Sequence, residues 1–98
     1  MDEQARRFEW DERKRLSNIE KHRIDFRQAV RAFNDPQSVE YVSRGDHAEQ
    51  RCVLVGMAGN RLIAVIYVLR GTKIRIISAR APQTKDRKLW NENTSSPS

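Results

Sequence analysis

The chain has 98 residues, 19 Lys and Arg against 13 Asp and Glu, a net charge of +6 and a single cysteine. That length holds one core and no second domain, and Cys52 alone excludes an internal disulfide framework or a Cys-based zinc site. His22 and His47 are widely separated, so no metal centre and no cofactor are expected. No apolar run approaches the roughly 18 residues of a membrane span, and Met1-Asp2-Glu3-Gln4 does not read as a signal peptide. The expectation is a soluble, cytoplasmic domain with no membrane partner.

In chain order, Arg7-Phe8-Glu9-Trp10 alternates as a short first strand would. Asp11 offers a carboxylate cap, and Glu12 to His22 contains no Gly or Pro to interrupt a helix. Leu16 and Ile19 give that helix a thin apolar stripe, with Lys14, Asn18 and Lys21 projecting from nearly the opposite side. Asp25 and Gln28 are spaced as a capping box, and Phe26, Ala29, Val30 and Phe33 follow helical periodicity up to the break at Asn34-Asp35-Pro36. The remainder reads as strands. Ser38–Ser43 alternates loosely before a turn at Arg44-Gly45-Asp46, and Gln50–Ala58, Arg61–Arg70 and Lys73–Ala79 are rich in Val, Ile, Leu and Tyr. Gly59-Asn60 and Gly71-Thr72 divide them as two-residue hairpin turns. Pro82 stops the last strand, Gln83–Trp90 reads as a short helix, and 91–98 as a disordered tail beyond a single domain over 1–90. The order β-α-α-β-β-β-β-(α) predicts an α+β fold, a mainly antiparallel sheet with two helices packed on one face.

The charge is unevenly spread. Residues 61–90 carry eight basic side chains and only Asp86, while the remaining segments nearly balance. Such a local excess points to a polyanionic partner. Two-residue loops would pair Arg70 with Lys73, Val68 with Arg75, Ile66 with Ile77, Ala64 with Ala79 and Arg51 with Val68. Arg51, Arg70, Lys73 and Arg75 then share one sheet face, with Glu49 the one carboxylate of these strands able to approach it. Ile63, Val65, Tyr67, Leu69, Ile74, Ile76 and Ser78 face the other way, towards the core. Clustered guanidiniums fit an anion, because their planar forks match phosphate oxygens. In RNA cleavage by the 2′-hydroxyl they would stabilise the phosphorane, and Glu49 or His22 are the candidates for proton transfer. The same pattern also describes a solvated basic face. Lys14, Asn18 and Lys21 equally describe an exposed helix side, and His22 a partner of the helix dipole. Cys52, Trp10 and Trp90 read as packing residues.

Phe8-x-Trp10-Asp11-x-x-Lys14-x-x-x-Asn18-x-x-Lys21-His22-x-Ile24-x-Phe26-x-x-Ala29-x-x-x-Phe33-x-Asp35-Pro36 resembles the opening of the BrnT family of bacterial toxins. So do Glu49-x-Arg51, Gly56 and Arg70-Gly71-x-x-Ile74-Arg75-Ile76-Ile77-Ser78-Ala79-Arg80, the likeness running from about Phe8 to Arg87. The resemblance implies a RelE-like fold, metal-independent ribonuclease activity that arrests translation, and a BrnA-like antitoxin. Operator DNA would be bound only through the antitoxin complex. On this basis Arg51, Arg70 and Arg75 are expected to hold the scissile phosphate of an RNA substrate, with Glu49 as general base. Lys73 and Arg80 would bind flanking phosphates. Lys14, Asn18, Lys21 and His22 are motif positions serving either substrate contact or helix anchoring. The alternative is a non-catalytic nucleic-acid-binding module using the same face.

Overall fold

A computed structural model describes residues 7–43 and 50–95. The sheet is five-stranded, in the order β1-β5-β4-β3-β2, with β1 Phe8–Glu9, β2 Val39–Ser43, β3 Arg51–Ala58, β4 Arg61–Arg70 and β5 Lys73–Arg80. β1 runs parallel to β5, and all other neighbours are antiparallel. Helices α1 (Glu12–His22) and α2 (Phe26–Ala29) lie on one side, and α3 (Thr84–Thr94) packs on the other. The α+β class and the two helices on one face are as the sequence predicts.

Both hairpins close through two residues: Ala58 opposes Arg61 and Arg70 opposes Lys73. Gly59 and Gly71 supply the positive φ, 69° and 61°, that the first position of a II′-type turn requires. One core layer joins Ile24, Phe26, Ala29 and Ala32 to Leu54, Ile63, Val65, Tyr67, Ile76 and Ala79. A smaller one gathers Val53, Val55 and Ala64 under Trp90 of α3. Trp10 packs edge-on against Phe26, with centroids 6.1 Å apart.

The second helix departs from its expected form. After α2 the chain tightens into a 3-10 turn, Val30–Asn34. Phe26, Ala29 and Ala32 are fully buried, while Val30 and Phe33 are only partly so. That three-residue burial period suits three residues per turn better than an α-helix does. The turn presses its Ala32 carbonyl against β3. A Cβ at Gly56 would lie 2.8 Å from that oxygen, so only glycine permits the approach.

The register of β4 with β5 is as expected near the turn and shifted beyond it. Val68 faces Arg75 and Tyr67 faces Ile76, but Ile66 then pairs with Ser78 and Ala64 with Arg80. Ile77 is the extra residue of a β-bulge. The slip carries Ala79 opposite Val65 and into the core, and puts Arg80 on the face of Ala64 and Ile66.

Helix α1 is turned differently from its hydrophobic pattern. Leu16 is 55 % exposed, and Asn18, at 5 %, is the buried residue. β1 covers β5 only at Ile74 and Arg75, leaving backbone groups farther along that edge without a strand partner. The Asn18 side-chain amide takes their place. Its Nδ2 donates to the carbonyls of Ala79 and Ile24, both at 2.8 Å, and its Oδ1 accepts from Ala79 N–H at 3.1 Å and Ser78 Oγ at 3.3 Å. One amide therefore imitates a rung of sheet pairing. The left-handed Arg23 (φ 59°) ends the helix and turns Ile24 towards it.

Asn91–Thr94 belong to α3 and not to a tail, which corrects the expected helix end at Trp90. Asn93 Nδ2 holds the Gln37 carbonyl at 2.8 Å and ties this last turn to the segment before β2.

Asn18→Ala would strand the buried Ala79 N–H and C=O, so it should lower unfolding free energy by about 3 kcal/mol in urea denaturation. Leu16→Ala, at the more apolar but exposed position, should change it by no more than about 0.5 kcal/mol.

Candidate phosphate-binding site

Arg51, Arg70, Lys73 and Arg75 occupy the sheet face that carries α3, and the bulge adds Arg80 to it. They are not equivalent. Arg70 and Lys73 stand exposed at the β4–β5 turn. Arg75 is drawn outward to β1, where its Nη1 lies 3.0 Å from Glu9 Oε2. Glu9 is thus a carboxylate on this face that the strand-pairing argument overlooked, because it arrives on a parallel strand from the other end of the chain. Glu49 lies outside the described residues.

Arg51 and Arg80 instead line a concavity of about 430 Å³, together with Tyr41, Ser43, Val53, Ile66, Gln83 and Lys85. Its floor is apolar sheet surface, and one wall is the start of α3. There Gln83 and Asp86 form a reciprocal capping box, with Gln83 N–H donating to Asp86 Oδ2 at 2.7 Å. The same oxygen accepts from Arg80 Nη1 at 2.6 Å, and Oδ1 accepts from the Tyr41 hydroxyl at 2.5 Å. Lys85 Nζ lies 4.2 Å above the centre of the Tyr41 ring. Asp86 is wholly buried and therefore neutralises the base of the site without offering a carboxylate to a ligand. Arg51 makes no ion pair among the described residues.

The ionisation states follow from these contacts. Burial pushes the Asp86 carboxyl up, but donors from Arg80, Tyr41 and Gln83 outweigh it and hold the group below the ordinary range. Burial lowers Arg80, and the Asp86 bond more than compensates, so its charge is reinforced. Burial and then the bond to Asp86 raise the Tyr41 phenol. Burial, followed by the bond to Glu40, raises Tyr67 further. Both phenols are donors at neutral pH. Chemically, the concavity presents fixed positive charge and hydrogen-bond donors, the equipment for holding and stabilising a phosphate.

Lys14, Lys21 and His22 are brought together elsewhere. With Ser17, Asn18, Ile77 and Ser78 they line a niche of about 170 Å³ where α1 meets the β5 bulge. Ser78, expected to face the core, lies here and bonds Asn18. Among the described residues no group of three or more His, Cys, Asp or Glu is placed to hold a metal, and no helix is long and apolar enough to cross a membrane.

Sequence reasoning missed Tyr41, Gln83, Lys85 and Asp86. A signal existed for the last: Asp86 is the single acid among the eight cations of residues 61–90, spaced from Gln83 as a capping box.

The family model described as "Ribonuclease toxin, BrnT, of type II toxin-antitoxin system" matches residues 10–86. The chain belongs to the BrnT family. The match runs from Trp10, ahead of α1, to the Asp86 that anchors the concavity, so both clusters fall within the BrnT region. Membership identifies it as a type II toxin with a ribonuclease role, an RNA target and an antitoxin partner. A comparison with curated proteins gives no match.

Asp86→Asn would leave Arg80 without its buried counter-charge and should destabilise this BrnT protein by about 3 kcal/mol at neutral pH. Because the native carboxyl is held low, its contribution is complete above the ordinary value of about 3.9 and is lost as pH falls through the lower folded-state value. The difference between wild type and Asp86→Asn in urea unfolding should therefore shrink on acidification below pH ~4.

Proposed function

We propose that this BrnT protein cleaves RNA without a metal ion, on the sheet face that carries α3, and thereby arrests translation in the cytoplasm. The observation that carries the reading is the concavity lined by Arg51, Arg80 and Lys85, beside which Asp86, the carboxylate bonded to Arg80, is buried. The 2′-oxygen attacks phosphorus, its proton passes to a base, the bond to the 5′-oxygen breaks, and that oxygen takes a proton from water. Glu49, two positions before Arg51, is the proposed base. Arg51 and Arg80 stabilise the doubly charged phosphorane, a role in which fixed cations substitute for a metal. Arg70, Lys73 and Arg75 extend the positive face along the strand's path, Arg75 being charge-balanced by Glu9. A RelE-like topology belongs to the same proposal.

A BrnA-like antitoxin would neutralise this face with an acidic or amphipathic segment, excluding RNA by occupying the same charge. Operator DNA would then be reached through the antitoxin.

Purified protein incubated with RNA in EDTA should cleave it. Salt-sensitive binding that leaves the RNA intact would instead identify a binding module. Arg51→Ala should remain folded and lose about 100-fold in cleavage rate, and Glu49→Gln should lose activity while still binding RNA. Full activity in Arg51→Ala would sink the proposed site. RNA and antitoxin should compete in a binding assay; a ternary complex would refute neutralisation by occlusion.

A further inference from the structure

The niche between α1 and β5 is left unused by this reading. Lys14, Lys21 and His22 line it with Ser17, Asn18, Ile77 and Ser78, and none of these is an acid. We propose that it is a second phosphate subsite, taking a phosphate of the same RNA strand that occupies the Arg51–Arg80 concavity. The inference rests on the nucleic-acid reading given above and adds where the strand goes.

Three observations support it. First, the cations are positioned and not merely exposed. Asn18 is locked by its bonds to Ile24, Ser78 and Ala79. Lys14, Lys21 and His22 lie four before, three after and four after it, the spacings that stack on one helix side. Fixing Asn18 on the edge of β5 therefore brings all three to the same edge. Secondly, none of the three side chains is in an ion pair among the described residues, although Glu12 is engaged by Arg15 and Asp25 by Arg15 and Arg27. Glu20, exposed on α1, does not line the niche. Compensation of the helix dipole accounts for Lys21 and His22 in the last turn but not for Lys14 near the start. Thirdly, β5 forms a wall of both sites. Ile77 and Ser78 line the niche and Arg80 lines the concavity. Ser78 and Arg80 are alternate residues of one strand, about 6.6 Å apart along it. The bulge at Ile77 produces this adjacency, because without the slip Arg80 would not share the face of Ile66.

A strand crossing β5 would thus place one phosphate among Arg51, Arg80 and Lys85 and a neighbouring one among Lys14, Lys21 and His22. The probe is a short single-stranded DNA, which lacks the attacking 2′-hydroxyl and so reports binding without cleavage. Its affinity for the full chain is measured over a range of salt concentrations. Loss of one phosphate contact should reduce the slope of log K against log salt by about 0.7. The double variant Lys14→Ala/Lys21→Ala should show that reduction with an unchanged melting temperature, both side chains being exposed. Lys88→Ala, an exposed cation on α3 outside both sites, should keep the wild-type slope. Equal effects from the two variants, or no effect from the double variant, would overturn the subsite while leaving the cleavage site standing. Failure of wild type both to bind the strand and to cleave RNA would overturn the subsite together with the proposed function.

Discussion

The structure depends on one side-chain amide. β1 is only two residues long and leaves most of the β5 edge without a strand. An edge carrying unpaired N–H and C=O groups is costly when buried and hazardous when exposed. Asn18 meets this constraint with the one group that matches a peptide unit in donor and acceptor. The contact attaches α1 to the sheet by polarity instead of by its apolar stripe, which explains why Leu16 remains outside. It also joins α1, the start of the second helix and the far half of β5 at a single point.

A comparable economy governs the opposite face. Burying a carboxylate is unfavourable unless its charge and lone pairs are satisfied. Asp86 meets that condition through Arg80, Tyr41 and the Gln83 backbone, which come from β5, β2 and the start of α3. The group that caps the helix is therefore also the group that aims an arginine and a tyrosine at the concavity. Arg80 is thus balanced by a buried counter-charge, and the uncompensated positive charge of the concavity is that of Arg51 and Lys85, neither of which is in an ion pair among the described residues. Arg75 shows the other outcome: Glu9 reaches it from a neighbouring strand at the same level of exposure, and the pair partly cancels in place.

Family membership and geometry supply different parts of the functional picture. The BrnT match gives the class, a ribonuclease toxin of a type II system. The fold divides the basic residues into groups: Arg51, Arg80 and Lys85 in a concavity, Arg70 and Lys73 at a turn, Arg75 in an ion pair, and Lys14, Lys21 and His22 at the edge of β5. The β5 bulge links them, since one inserted residue decides which cations share a side.

The sequence by itself determined the strands, the two hairpin turns, the first helix and the concentration of charge between residues 61 and 90, because alternation, glycine conformation and capping are local properties. It also determined that Arg51, Arg70, Lys73 and Arg75 share a face, since that follows from loop length alone up to the bulge. Only the tertiary structure decided the position of the bulge, hence the side taken by Arg80, and the inward turn of Asn18. Only it decided that the second helix tightens to bring Ala32 against Gly56. These features settle competition among distant backbone groups for hydrogen-bond partners and space, and no single segment carries the terms of that competition.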